Sequence, residues 1–414
     1  MKSGFIVFMS IFFSGCMFIG LSEDVEKLEA ATSITGKIEL ANNSHLPIVV
    51  TLSRSEGGEN PLQSYTVVYD SNDFFFSVPK GKYYLLAFED SNHDFTLQDN
   101  ERVGWYGSPT LIDTDSKKTY TNISITLREP TDAKIILPSL YTPEMVHKPV
   151  NIDKINLGKV VDTSVFKPEL GSLGMWEPVK FHLEGHSGIY FLEPYNKKKI
   201  PVLLVHGISG SGHDWLYVLE NLDREKFQPW VVQYPSGMRL SLLSKSLSQS
   251  INELKATYNF TELAVVAHSM GGLISRGLIN HQSVSDEKSN SINTFITIST
   301  PWLGHNAASQ GAKYAPVAVP SWFDMVPESP YLNSLYKQAL PKNIQFHLLF
   351  SHKGKGGGII KKANSDGTVT LASQLPNKAQ EEAVKVIGYD ETHIGILNSV
   401  EVIKKINKIL KKAY

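Results

Sequence analysis

The sequence predicts a mostly parallel β-sheet flanked by helices, preceded by a small antiparallel β-sandwich. Residues 32–129 hold six short runs in which apolar and polar side chains alternate, separated by turn residues, as in half-buried antiparallel strands. Beyond residue 195, continuous apolar runs alternate with helical stretches, which is typical of strands buried on both faces of a parallel sheet. A chain of 414 residues is long enough for two or three domains.

Five segments are predicted along the chain. In order, they are a signal peptide (1–15), a tether (16–31), the β-sandwich (32–129), a connecting layer without clear periodicity (130–195) and the main α/β domain (196–414), which includes a cap (302–345).

The composition excludes several classes of protein. Apolar residues make up 42% of the chain and charged residues 20%, so the chain is neither disordered nor collagen-like. Because 40 Lys and Arg balance 41 Asp and Glu, we expect no nucleic-acid partner. Cys16 is the only cysteine, which excludes an intrachain disulfide framework, an iron–sulfur cluster and a Cys-rich zinc site.

The amino terminus has the pattern of an export signal. Lys2 precedes an apolar run, and the small residues Ser14 and Gly15 stand just before Cys16. The arrangement resembles a bacterial lipobox, in which the cysteine is acylated, although Phe13 stands where Leu is usual. Two alternatives remain open: a cleaved secretory signal, and an uncleaved anchor, because residues 4–21 carry no charge. All three predict an exported protein, either lipid-anchored to a membrane of the bacterial cell envelope or secreted.

The β-sandwich is predicted from its six alternating runs. They lie at residues 33–40, 47–53, 64–69, 73–79, 82–89 and 121–127. The stretch VPKGKYYLLAFED (78–90) resembles the carboxypeptidase-regulatory, transthyretin-like sandwich, and this resemblance implies an accessory role in binding or support.

One loop of the sandwich follows the spacing of a calcium-binding loop. The candidate oxygen ligands are Asp90, Asn92, Asp94, Thr96 and Glu101. Two features oppose this interpretation: Phe95 stands where the sharp turn favours glycine, and a strand precedes the loop. The alternatives are therefore a structural calcium ion and an acidic surface turn.

The main domain is predicted from six apolar strands. They lie at residues 200–207, 228–235, 262–269, 293–300, 344–352 and 383–390. After residue 399, apolar side chains fall on one helical face and lysines on the other, which predicts a terminal helix docked on the domain.

Residues 267–272 (AHSMGG) carry the most specific signal. They follow an apolar strand and precede a helical stretch, the strand-turn-helix setting that a nucleophile elbow requires. The small residues Ala267 and Gly271 stand two residues before and two residues after Ser269. Ser269 is therefore the candidate nucleophile.

The same turn predicts an oxyanion hole. The backbone N–H of Met270 opens the helix beside the nucleophile, where the helix dipole favours negative charge. We expect a second donor from the loop after the strand at 200–207, and Ile208 is the candidate.

A serine nucleophile needs a base and an acid that orients the base. In this architecture they follow the serine in the order acid, then histidine, on loops after later strands. Asp366 and His393 meet both conditions. Asp324 and Asp390 remain rival candidates for the acid.

Six sequence blocks together resemble the α/β-hydrolase-fold bacterial lipases and esterases. They are VHGISGSG (205–212), AHSMGG (267–272), ISTPWLG (298–304), PSWFDMVPESPYL (320–332), SDGTV (365–369) and HIGIL (393–397). Two blocks, AHSMGG and HIGIL, are similar to the small Bacillus lipases, and ISTPWLG (298–304) and DMVPESPYL (324–332) are similar to larger bacterial lipases and the GPI-inositol-deacylase-like group. The resemblance covers residues 190–400. It implies a Ser269–His393–Asp366 triad, backbone donors at Ile208 and Met270, and no cofactor.

The region between residues 300 and 345 is too long for a plain connection. Its aromatic residues and prolines suit a cap over an acyl-binding cleft, or alternatively ordinary packing against the core. We therefore expect a serine hydrolase that acts on esters or lipids with apolar acyl chains. The alternatives are an acyltransferase or a lipid or thioester deacylase with the same triad, and a surface binding protein on a hydrolase scaffold.

Overall fold

The computed structural model describes residues 18–39, 46–55, 62–69, 72–107, 110–115, 119–129, 155–282, 291–354 and 364–414. The predicted signal peptide and Cys16 lie outside these residues. Among the described helices, none is long and apolar enough to cross a membrane.

The described residues of the N-terminal part form one helix and eight strands. They are α1 (18–30), β1 (Thr32–Glu39), β2 (Ile48–Arg54), β3 (Leu62–Val68), β4 (Asp73–Val78), β5 (Lys82–Glu89), β6 (Val103–Trp105), β7 (Ile112–Asp113) and β8 (Thr119–Thr126). Residues 18–30 were expected to form a tether but are helical.

Two small sheets form the predicted sandwich. One has the strand order β4-β1-β8, and the other has the order β3-β2-β5-β6 with β7 paired to β5. All pairings are antiparallel except β1 with β8, which is parallel. Side chains such as Ile34, Val50 and Leu85 alternate into the shared core between the sheets.

The main domain contains eight further strands and eleven helices among the described residues. They are β9 (Asn156–Val160), α2 (Glu169–Trp176), α3 (Pro178–Leu183), β10 (Gly188–Phe191), β11 (Ile200–Val205), α4 (Leu216–Asn221), β12 (Phe227–Gln233), α5 (Leu240–Tyr258), β13 (Leu263–His268), α6 (Met270–Gln282), β14 (Ile292–Ile298), α7 (Asn306–Tyr314), α8 (Pro320–Met325), α9 (Pro330–Leu335), β15 (Gln345–Ser351), α10 (Leu371–Gln374), α11 (Asn377–Glu382), β16 (Lys385–Tyr389) and α12 (Val400–Ala413).

These strands form one sheet with the order β16-β15-β14-β13-β11-β12-β10-β9. The six strands from β11 to β16 are parallel to one another, whereas β10 runs antiparallel to β12. Every residue of β13 is buried, because helices cover both faces of the sheet. The predicted fold class is confirmed.

The predicted connecting layer differs from the structure. Residues 130–154 lie outside the described part of the chain, but β9, α2, α3 and β10 belong to the main domain, and both strands extend its sheet. The main domain therefore includes residues from 155 onward. Residues 196–414 alone do not make up its sheet.

The sandwich rests on helix α5 of the main domain. The Tyr65 hydroxyl donates to the Glu253 carboxylate at 2.6 Å, and the Gln249 amide donates to the backbone carbonyl of Phe75 at 2.6 Å. The Lys245 ammonium lies 4.6 Å from the centre of the Phe75 ring, within the range of a cation–π contact.

Candidate active site

The candidate nucleophile stands on a strained turn. Strand β13 ends at His268, Ser269 has a backbone φ of 53°, and helix α6 begins at Met270. A non-glycine residue in the left-handed region is uncommon and is held there by its surroundings. A Cβ atom at Gly271 would lie 2.4 Å from the carbonyl oxygens of both Val205 and His206, so this position requires glycine.

The structure brings Ser269, His393 and Asp366 into one chain of hydrogen bonds. The distance from Ser269 Oγ to His393 Nε2 is 2.9 Å, and the distance from His393 Nδ1 to Asp366 Oδ2 is 2.7 Å. Because the carboxylate accepts at Nδ1, that nitrogen carries the ring proton and Nε2 is free to accept from the serine hydroxyl. This is the arrangement that general-base activation of a serine requires.

Asp366 is held as an anion. Its Oδ1 accepts from the backbone N–H groups of Thr368 and Val369 at 2.9 and 2.7 Å, and its Oδ2 also accepts from the Ser351 hydroxyl at 2.8 Å. Burial raises the pKa of Asp366. The hydrogen bond and charge of His393, together with these donors, lower it by more, so the net pKa lies below the ordinary value.

A second histidine supports the base. His268 Nε2 donates to the backbone carbonyl of His393 at 2.9 Å. Burial, and then the nearby His393, lower the pKa of His268 to about 3, so the ring is neutral and its one proton faces that carbonyl. The sequence offered no role for His268 beyond its position next to the nucleophile.

The loop after β11 lies directly over the nucleophile. A Cβ atom at Gly207 would be 3.0 Å from the Cβ atom of Ser269. The Gly207 carbonyl accepts from His206 Nδ1 at 2.8 Å and from the Gly210 N–H at 3.2 Å. In a trans peptide the N–H points opposite to the carbonyl, so these bonds fix the direction of the Ile208 N–H.

Met270, the other predicted oxyanion donor, is the first residue of α6. Its N–H therefore has no acceptor within the helix. The roles of both backbone donors remain predictions.

The two rival acids lie elsewhere. Asp324 forms an ion pair with Arg239 at 2.8 Å and accepts from the Leu240 N–H at 2.6 Å, at the start of α5. Asp390 is exposed and lies 3.9 Å from His352 and 4.0 Å from Lys353. The described contacts of His393 include neither carboxylate.

The triad is almost fully covered. Ser269 is 5% exposed and His393 is 6% exposed. The predicted cap region contains α7, α8 and α9, but Trp302 is buried and packs edge-on against Phe346 in the core. Ordinary core packing therefore accounts for part of the aromatic content of this region.

The predicted calcium loop is closed by its own hydrogen bonds. The Asp90 carboxylate accepts from the N–H groups of Asp94 and Phe95, and the Glu101 carboxylate accepts from the N–H groups of Ser91 and Gln98. Within this loop the other candidate ligands also bond to each other, since the Thr96 N–H and the Asn92 amide both donate to Asp94. In the described part of the chain, no group of three or more His, Cys, Asp or Glu side chains is arranged to hold a metal ion. The calcium prediction therefore gains no support from this geometry.

Comparison with known proteins agrees with this fold. The family model described as "Alpha/beta hydrolase of unknown function (DUF915)" matches residues 237–413, a range that includes all three triad residues. Together with the eight-stranded sheet, this match shows that the main domain has the α/β-hydrolase fold. No curated protein matches the sequence.

Several solved structures are similar at low identity. The Bacillus licheniformis lipase BlEst2 in its mature form is 17% identical over 53% of this chain and 94% of that chain, with a TM-score of 0.41. Aspergillus fumigatus lipase B is 15% identical over 54% and 56%, also with a TM-score of 0.41. The Legionella pneumophila phospholipase PlaB is 13% identical over 52% and 64%, with the same TM-score. At TM-scores near 0.4 these likenesses carry no conclusion about activity.

Proposed function

We propose that the protein is a serine hydrolase that cleaves carboxylic esters of apolar acyl chains through an acyl-enzyme intermediate. The observation that supports this most directly is the hydrogen-bonded chain from Ser269 through His393 to Asp366. It starts at a strained turn that opens a helix, the position of the nucleophile in α/β hydrolases.

The first half of the reaction would acylate the serine. His393 Nε2 takes the hydroxyl proton while Ser269 Oγ attacks the ester carbonyl carbon, and Asp366 stabilises the imidazolium that forms. The developing oxyanion would accept from the backbone N–H groups of Met270 and Ile208, and each such donor contributes about 10²- to 10³-fold in rate. The tetrahedral intermediate collapses, the C–O bond to the alcohol breaks, and His393 gives its proton to the leaving oxygen.

Water then repeats the sequence on the acyl-enzyme. His393 takes a proton from water, the hydroxide oxygen attacks the acyl carbon, and the bond to Ser269 Oγ breaks as the serine recovers its proton. The products are the free alcohol and a carboxylic acid, and no step requires a metal or cofactor.

Replacement of the nucleophile tests the proposal. We expect Ser269→Ala to lower turnover of a chromogenic p-nitrophenyl acyl ester by about 10⁴- to 10⁶-fold, because the attacking hydroxyl is gone. A fluorophosphonate probe should label the wild-type protein and not the variant. Undiminished turnover in a correctly folded Ser269→Ala protein would refute a hydrolase of this kind and would favour a different role for the scaffold.

We also propose that the protein is exported and is held on a membrane of the cell envelope by acylation of Cys16. Support comes from the sequence alone: an apolar run, small residues and then the single cysteine. We expect Cys16→Ser to move the protein from the membrane fraction to the soluble exported fraction. Retention of the variant on the membrane would instead favour an uncleaved anchor.

A further inference from the structure

We propose that the active-site edge of the main domain docks on the bilayer that holds the N-terminal segment, so that the enzyme acts on ester lipids of that bilayer. This inference rests on the proposed function. The docking surface is an apolar patch, which we call the entrance patch. It consists of Phe18, Ile19, Trp176, Tyr314, Trp322 and Phe323.

Three aromatic rings of the entrance patch form a chain of edge-on contacts. The Phe18 ring lies 5.7 Å from that of Trp176, which lies 6.0 Å from that of Trp322, both edge-on. Helix α7 packs against the same surface, since a Cβ atom at Gly311 would lie 2.5 Å from the Trp322 ring. Aromatic contacts of this kind join the N-terminal helix, α2, α7 and α8 into one surface.

Much of this patch faces outward. Ile19 is 63% exposed, Tyr314 is 67% exposed and Phe323 is 43% exposed. Large apolar side chains gathered on an exposed surface mark an interaction site. Tryptophan and tyrosine are also the side chains that membrane–water interfaces favour.

Backbone hydrogen bonds place the patch on the active-site edge of the sheet. The loop after β12 leaves the sheet at the same carboxyl edge as β13, since the parallel strands share a direction. In that loop the Gly237 N–H donates to the Gly174 carbonyl of α2, and the Gly237 carbonyl accepts from the Ser321 N–H of α8, each at 2.9 Å. Both outer helices are therefore fixed to the edge from which Ser269 projects.

The N-terminal helix leads the attached end of the chain to the same place. The Asp24 carboxylate accepts from the N–H groups of Val179 and Lys180 at 2.8 and 3.2 Å, and Leu21 is fully buried. These contacts hold the first turn of α1 at the patch. This turn contains the last residues of the uncharged segment 4–21.

The charges along α1 favour a bilayer as the occupant. After its apolar first turn, the helix exposes Glu23, Glu26 and Glu29, so it can leave the membrane surface after one turn. An acyl group at Cys16, two residues before Phe18, would enter the bilayer beside the patch. One acyl chain alone gives marginal attachment, and an apolar surface next to it supplies the second contact.

Paired substitutions on the full-length protein in phosphatidylcholine vesicles test this inference. We expect Ile19→Ser with Tyr314→Ser to lower hydrolysis of a vesicle-borne fluorogenic diacylglycerol ester by about 10-fold, because two apolar side chains no longer enter the bilayer. Hydrolysis of a soluble short-chain ester should stay within about twofold. Val384→Ser is the matched control: Val384 is 60% exposed but precedes β16, at the opposite edge of the sheet, and both activities should be retained.

A fluorescent label gives a readout that does not depend on activity. We expect spin-labelled lipid to quench a polarity-sensitive thiol dye attached to the Phe323→Cys variant and not the same dye attached to the Val384→Cys variant. Wild-type protein treated with the dye gives the background signal from Cys16. Equal vesicle turnover in the paired variant, or no quenching at position 323, would overturn the docking proposal. A change of oligomeric state in the paired variant without these effects would also overturn it, in favour of a second copy as the occupant. If the wild-type protein did not hydrolyse the soluble ester at all, the proposed function would be refuted instead of the docking proposal.

Discussion

At the scale of single residues, the distinction between Asp366 and its rivals can be tested directly. Every group that bonds to this carboxylate is a donor: His393, Ser351, the Gln374 amide and the backbone N–H groups of Thr368 and Val369. An amide in its place would face these donors with an NH₂ group and favour the wrong histidine tautomer. We expect Asp366→Asn to lower kcat by about 10⁴-fold.

The matched control for this prediction is Asp390→Asn, at an exposed carboxylate that contacts the neighbouring His352 and Lys353. Ester turnover with a soluble substrate, together with circular dichroism to check the fold, measures both variants. We expect the control to retain its kcat. The assignment of the acid would be wrong if the Asp390 variant lost activity and the Asp366 variant did not.

Sequence reasoning identified the residues whose chemistry is tied to a local pattern. Ser269 was found from the small residues around it, and His393 and Asp366 from their places after late strands, and the structure brings the three together. It gave no role to His268, because a buried hydrogen bond between its ring and the His393 carbonyl joins positions 125 residues apart. Long-range contacts of this kind leave no periodic signal in one sequence.

At the scale of elements, length and periodicity decided what could be predicted. Four of the six parallel strands of the main sheet lie within their predicted runs, and β12 and β14 begin one residue earlier, because each strand falls on a mostly apolar stretch. By contrast, β9, α2, α3 and β10 are five, eight, six and four residues long, too short to show a period. The sequence therefore predicts a connecting layer where the main sheet in fact begins.

The N-terminal helix shows a different limit. Residues 22–31 are mostly polar, and isolated helices of this length are marginal in water. Two contacts stabilise α1: Leu21 is buried, and the Asp24 carboxylate accepts a hydrogen bond from the start of α3. The Asp24 contact joins residues that lie 155 positions apart in the sequence. Tertiary contacts decide this element, and its local sequence does not.

At the scale of the whole molecule, buried histidines make stability dependent on pH. Burial lowers the pKa of His206, His281 and His347 to about 4 and that of His268 to about 3, from an ordinary value of 6.5. Between the lowered pKa values of the folded protein, about 3 to 4, and the ordinary value of 6.5, the unfolded chain binds protons that the folded chain excludes. Stability should therefore rise with pH through this window and fall as the pH drops below about 6.5.

One group at the interface between the sandwich and the main domain acts in the opposite direction. Burial raises the pKa of Glu253 to about 7, although its hydrogen bond from Tyr65 lowers it in part. The folded protein therefore binds a proton here that the unfolded chain, with an ordinary pKa of 4.5, releases. This contribution is present at low pH and is lost as the pH rises through about 7.

For these five side chains alone, four excluded protons against one retained proton leave a net difference of about three near pH 5, which corresponds to a slope of at most about 4 kcal/mol per pH unit. We expect the thermal midpoint to fall steadily between about pH 7 and about pH 5. Glu253→Gln removes the opposing group, so its midpoint should fall more steeply, whereas His281→Asn removes one excluded proton and should make the fall shallower. A midpoint that does not change over this range, or variants that leave the slope unaltered, would show that these side chains already titrate with ordinary pKa values in the folded protein.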